Sequence, residues 1–356
     1  MKHLIFVVLC SLLVGGCQKK EAPSSEKMDF VSLMGSDLPH WKHVQTKEDF
    51  ENLAFFKGVY DRNIPLLGKG EGEKIPKVVH FIWLGPKSFP RESVVNVRSW
   101  MAHHPDWTFK FWTDRKRPLP HPDMQECMVR DFSFEKLGDF YAKSDNYGEQ
   151  SDLLRIEILF KEGGVYVDHD VECMQGFGAL HGAYDFYCGM DCPYPTSLSS
   201  SVLPTNNLVG AKKGHPLLEK MMFWLDERWE QIERDYPGRD RDSVINRVSH
   251  RTFFALGEAF KTFGNKEGNI DIALPTCYFN SPKIERALFA QHKYKGTWFE
   301  NESNFERKAR KRLMMLSKKA NKLLLAVGVL AGLNLLGFVG IASLYVRLHK
   351  RREDRP

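Results

Sequence analysis

The densest run of chemistry-bearing residues is SDLLRIEILFKEGGVYVDHDVE, residues 151–172. Asp152 and Arg155 stand three apart in a stretch with helical spacing, so their heads share one helix face. Gly163 and Gly164 permit a tight return with positive φ and a close backbone approach. Asp168 and Asp170 are two apart in a β-rich run, which predicts a strand over 165–171 carrying both carboxylates on one face. Such carboxylates repel each other unless a cation lies between them. A hard divalent ion, Mn2+ or Mg2+, takes oxygen ligands from one or two carboxylates and fills its shell with substrate phosphates, which makes Asp170 and Asp168 the metal candidates. Arg155 adds a planar, delocalised cation suited to phosphate or sugar oxygens. An isolated Asp-x-Asp is common on exposed strand ends; the whole string is what singles this one out. His169, between the two acids, is expected to face outward into water.

The elements that must position these groups are legible around them. IPKVVHFIWLG (75–85) reads as a buried strand, residues 91–103 as a helix and 107–112 as a second strand. Residues 151–162 form an amphipathic helix stopped by the two glycines, and 216–235 and 251–262 are further helices. Strand–helix–strand alternation predicts an α/β fold with a mostly parallel sheet. With 356 residues, 42% apolar and 27% charged, the chain is long enough for a real core and is neither disordered nor a polytopic membrane protein. Seven cysteines exclude a small disulfide scaffold. The formal charge of +6 divides unevenly: residues 303–356 hold 13 Lys/Arg against 3 Asp/Glu, whereas the preceding part is mildly acidic. The basic excess belongs to a tail, so no nucleic-acid partner is expected.

Both ends carry apolar runs. Lys2, the run 4–14 and Val14-Gly15-Gly16-Cys17 have the layout of a secretory signal, lipoprotein-like with Cys17 as the lipidated residue. Residues 323–346 are apolar and free of charge, long enough for a transmembrane helix. The expected organisation is a signal segment over 1–17, a tether and N-terminal helical region over 18–70, and a catalytic domain over 71–302. A basic juxtamembrane segment (303–322), the transmembrane helix (323–346) and a basic tail (347–356) follow. Membrane association is therefore expected. The basic flanks place the main domain in the cytoplasm and an export signal places it outside, so the side stays open.

The string at 151–172 resembles the DXD sugar-binding region of the glycosyltransferases that include yeast initiating mannosyltransferases, inositol-phosphoceramide mannosyltransferases and clostridial glucosylating toxins. The matching residues are Ser151, Asp152, Arg155, Gly163, Gly164, Tyr166, Asp168 and Asp170. IPKVVHFIWLG with Trp83, HPDWTFKFWTD (104–114), NNLVGAKKGHP (206–216) and HKYKGTW (292–298) resemble further family segments in the same order. VSHRTFFALGEAF (248–260) departs from the family, which often has Thr-Gly-Pro before a helix in this half.

The resemblance implies a GT-A-like, Rossmann-like nucleotide-sugar-binding domain and metal-assisted transfer of a sugar from a UDP- or GDP-sugar, with retention, to an acceptor that the sequence does not name. A site near a membrane would suit a lipid or a membrane protein. By the same resemblance Trp83 would stack on the base, and Asp152 and Arg155 would hold the donor sugar and phosphate. Asp168 would contact ribose or sugar hydroxyls, Asp170 would coordinate the metal, and Thr297 and Trp298 would close over the diphosphate. No carboxylate stands out as a nucleophile. The competing expectations are a membrane-tethered nucleotide-sugar-binding protein without transferase activity, and a structural surface lipoprotein.

Overall fold

Continuous apolar runs build the sheet on which the site rests. The computed structural model describes residues 29–70, 72–196 and 198–297, with short stretches between 312 and 342. The chain divides into two units, Met1–Lys295 and Gly296–Pro356.

In the first unit, α1 (Phe30–Leu33) and α2 (Lys47–Asn63) precede β1 (Val78–Trp83), α3 (Arg91–His103), β2 (Thr108–Thr113) and β3 (Gln125–Met128). Then come α4 (Gly138–Lys143), α5 (Tyr147–Glu162), β4 (Gly164–Val167), β5 (Val171–Cys173), α6 (Gly178–Ala183), β6 (Phe186–Met190) and β7 (Pro204–Ala211). The unit ends with α7 (Pro216–Asp235), α8 (Arg241–Ser249), a π-helical turn His250–Phe254, α9 (Ala255–Phe263), β8 (Asp271–Leu274) and β9 (Ala290–His292).

The seven-stranded sheet has the order β3-β2-β1-β4-β7-β6-β8. Only β7 runs against its neighbours, so the expected α/β layer with a mostly parallel sheet is present. The chain winds outward from β1 to β3 and returns to β4 on the other flank of β1. The carboxyl ends of β1 and β4 therefore border a topological switch point, where open α/β sheets bind ligands. The central strands are buried on both faces, which is why β1 reads as an unbroken apolar run. α7 buries Leu217, Leu218, Met221, Met222, Leu225, Trp229 and Ile232, the stripe its 3.6-residue period predicts.

Three expectations are corrected. The strand predicted over 165–171 breaks after Val167: residues 169 and 170 form a turn, and β5 leaves the main sheet to pair with β9. The helix predicted from 151 starts at Tyr147, because the Asn146 side chain accepts from the Gly148 and Glu149 amides and caps an earlier turn. The C-terminal transmembrane helix is not supported: among the described residues, no helix is long and apolar enough to cross a membrane. The described helical stretch there, 319–328, carries Lys319 and Lys322 and falls short of the roughly 20 unbroken apolar residues a span requires. Residues 329–336, 338–339 and 343–346 of the apolar run lie outside the described residues, as do residues 1–28 with Cys17.

Candidate active site

The bend between α5 and β4 sets the geometry. Gly163 has φ 70° and Gly164 φ 102°, conformations that favour glycine. A Cβ on Gly164 would lie 2.6 Å from the Val78 carbonyl oxygen, so the second glycine lets β4 close against β1. α5 runs back along β4, and its N-terminal half therefore lies at the edge where Asp168 follows the end of β4.

There α5 presents Asp152 and Arg155. Both are buried, and the Arg155 Nη2 lies 2.7 Å from the Asp152 Oδ1 and 3.3 Å from the Asp168 Oδ1. Arg155 Nη1 donates to the Asn206 carbonyl at 2.7 Å, and its guanidinium lies 4.0 Å from the centre of the Tyr166 ring. Tyr166 donates its hydroxyl proton to Asp168 Oδ1 at 2.6 Å, and Asn206 Nδ2 donates to Asp152 Oδ1 at 3.0 Å. Arg155 thus holds two carboxylates in place, and its fork is engaged by protein groups. One positive charge faces two negative ones. Burial pushes the Asp152 carboxyl up to about 7; Arg155 opposes this, while Asp168 and Glu149 push the same way. The Asp152 Oδ2 is buried without a hydrogen-bond partner. An orphaned buried acceptor costs about 1–3 kcal/mol, and a donated ligand hydroxyl would repay it.

The turn brings Asp170 to a third group. β9 pairs antiparallel with β5, Val171 opposite His292, which sets the imidazole Nε2 3.4 Å from Asp170 Oδ1. The Lys295 amide donates to Asp170 Oδ2 at 2.7 Å. Burial pushes the Asp170 carboxyl up, but the hydrogen bond and charge of His292 outweigh it and hold it well below the usual carboxylate range. Burial likewise disfavours His292 protonation, yet Asp170 raises its pKa. One ligand atom each from Asp168, Asp170 and His292 lie within 4.8 Å of one another. Two carboxylates and an imidazole form a donor set able to hold a divalent cation, and the imidazole Nδ1 is buried without a partner. The expected pair Asp168/Asp170 is therefore joined by a histidine that sequence reasoning placed only within a family segment. Asn206 and Asn207 were likewise only a polar pair in sequence; Asn207 accepts the Asp168 amide on its carbonyl at 2.8 Å.

Trp83 ends β1 at the same edge but is 7% exposed, donates Nε1–H to the Lys87 carbonyl and meets Phe89 and His169 edge-on. Little of its ring is open. His169 is not solvated outward as expected: its Nδ1 lies 2.8 Å from the Ser93 hydroxyl, because the turn rotates it onto α3. Thr297 lies in the second unit, and Trp298 lies outside the described residues. The site thus assembles Asp152, Arg155, Asp168 and Asp170 with His292, and Trp83 packs beside it on His169.

Residues 90–187 match the family described as "Glycosyltransferase sugar-binding region containing DXD motif", so the DXD region expected from sequence is present. The chain is 26% identical over 186 residues to "Subversion of eukaryotic traffic protein A" of Legionella pneumophila, which spans 48% of this chain and 27% of that protein. It is 33% identical over 174 residues to "Inositol phosphoceramide mannosyltransferase 1" of Schizosaccharomyces pombe, covering 47% of this chain and 48% of that protein. Among solved structures it is similar to the PaToxG glycosyltransferase, with a TM-score of 0.44 and 18% identity over 61% of this chain and 80% of that one. The chain spans less than half the length of either curated relative.

Proposed function

We propose that this protein is a metal-dependent glycosyltransferase that moves a sugar from a nucleotide-sugar to an acceptor, with retention at the anomeric carbon. The observation that carries the reading is the Asp168–Asp170–His292 cluster at the switch point, beside the buried Asp152–Arg155 pair. The leaving group in such a transfer is a nucleoside diphosphate, and catalysis consists largely of stabilising its developing charge. A bound divalent ion would supply that charge as a Lewis acid. Asp170 and His292 would hold the ion, with Asp168 beside them. Asp152, through its unpartnered Oδ2, would accept a donor-sugar hydroxyl. Arg155 keeps Asp152 and Asp168 aligned by bonding to both. The test is a screen for nucleoside diphosphate release from UDP- and GDP-sugars with and without Mn2+. Release with at least one donor that requires the ion and is lost in Asp170→Asn is expected. No release from any donor, or release unaffected by Asp170→Asn, refutes the reading. A sugar-nucleotide-binding protein without transferase activity would bind a donor with Mn2+ and release no diphosphate.

A further inference from the structure

A second constellation of buried charge lies outside the site just described. Arg251 sits on the π-helical turn between α8 and α9 and is 1% exposed. Its Nη1 donates to Glu149 Oε1 at 2.6 Å, and its Nη2 donates to Glu233 Oε2 at 2.7 Å and to the Trp229 carbonyl at 3.3 Å. The guanidinium stacks 3.4 Å from the centre of the Trp229 ring. The other carboxylate oxygen of Glu149 takes the Ser144 hydroxyl at 2.6 Å. Glu149 is in the first turn of α5, three residues before Asp152, so the two share a face about 4.5 Å apart along the helix axis. The Arg251 partners Glu149, Trp229 and Glu233 border a cavity of about 300 Å³, lined also by Ser144 and Arg247 among others.

We infer that Arg251 is a positioning residue for the donor site: it ties the first turn of α5 to α7 and thereby sets where Asp152 and Arg155 stand. This rests on the nucleotide-sugar reading above. Three features support it. The tie joins elements distant in sequence, so no local helix contact replaces it. It ends one helical turn before the site, on the face the site uses. It needs a planar fork, since one side chain serves two carboxylates and a carbonyl while lying flat on an indole; an ammonium of similar length cannot do all of this. A displacement of about 1 Å in groups that orient a substrate lowers turnover by up to ~100-fold.

A purely structural Arg251 would make a different prediction, and two variants separate the cases. Arg251→Lys keeps the buried charge but loses the fork. The double variant Glu149→Gln/Arg251→Met removes the charge pair together, so no carboxylate is left buried and unpaired. Both are compared with wild type for thermal midpoint, donor KM and kcat, using the nucleotide-sugar that wild type turns over with Mn2+. The expected result is a double variant that melts near wild type yet keeps a kcat lowered by about 10- to 100-fold, and a lysine variant lowered by about 10-fold. Recovery of wild-type kcat in the double variant along with its stability, or a wild-type kcat in Arg251→Lys, overturns the inference while leaving the proposed function standing. Absence of turnover in wild type itself refutes the proposed function, and the inference with it.

Discussion

Replacing Asp152 by asparagine should stabilise the fold while abolishing function. The cluster of Asp152, Arg155 and Asp168 sets one guanidinium against two carboxyl groups, and Asp152 is 1% exposed. Its pKa rises from 3.8 to about 7, chiefly because burial penalises the charged form. A carboxyl whose folded pKa lies above its unfolded value favours the fold fully at pH values below the unfolded pKa. That contribution is lost as pH rises through the folded pKa. Asparagine does not titrate, and its carbonyl oxygen can still accept from Arg155 and Asn206. The stability of Asp152→Asn relative to wild type should therefore grow by roughly 2–3 kcal/mol between pH 5 and pH 8. Urea denaturation at both pH values measures this difference, and nucleoside diphosphate release at pH 8 should fall to background in the same variant. A variant less stable than wild type at pH 8, or a difference that does not change with pH, would refute the charge accounting.

Two further predictions follow from the geometry. His292→Ala should weaken Mn2+ binding by about 10- to 100-fold in calorimetric titration, and wild-type affinity should rise with pH as the imidazole loses its proton; an unchanged affinity removes His292 from the ligand set. Gly164→Ala, at φ 102° and with its Cβ driven against the Val78 carbonyl, should cost about 2–3 kcal/mol in urea denaturation, whereas a variant as stable as wild type would show that β4 need not approach β1 so closely.

Asp152 and Arg155 on one helix face, the double-glycine bend, the Asp168/Asp170 pair and the alternation of strands and helices were all legible in the sequence. Each is a local property: a helical period, a backbone conformation that favours glycine, a spacing of two residues. Local reasoning erred where a long-range contact won. It extended β4 through Val171, because nothing in VYVDHDV reveals that β5 pairs with β9 instead of continuing the sheet. It set His169 in water, whereas the turn packs that ring against Ser93 and Trp83. The charge-free run at 323–346 suggested a span that no described helix provides. Only tertiary structure brought His292 to Asp170, Asn206 to Arg155 and Arg251 to Glu149. Those partners come from strand order and helix layering, which arise from burying apolar faces against one another and leave no spacing in the chain to read.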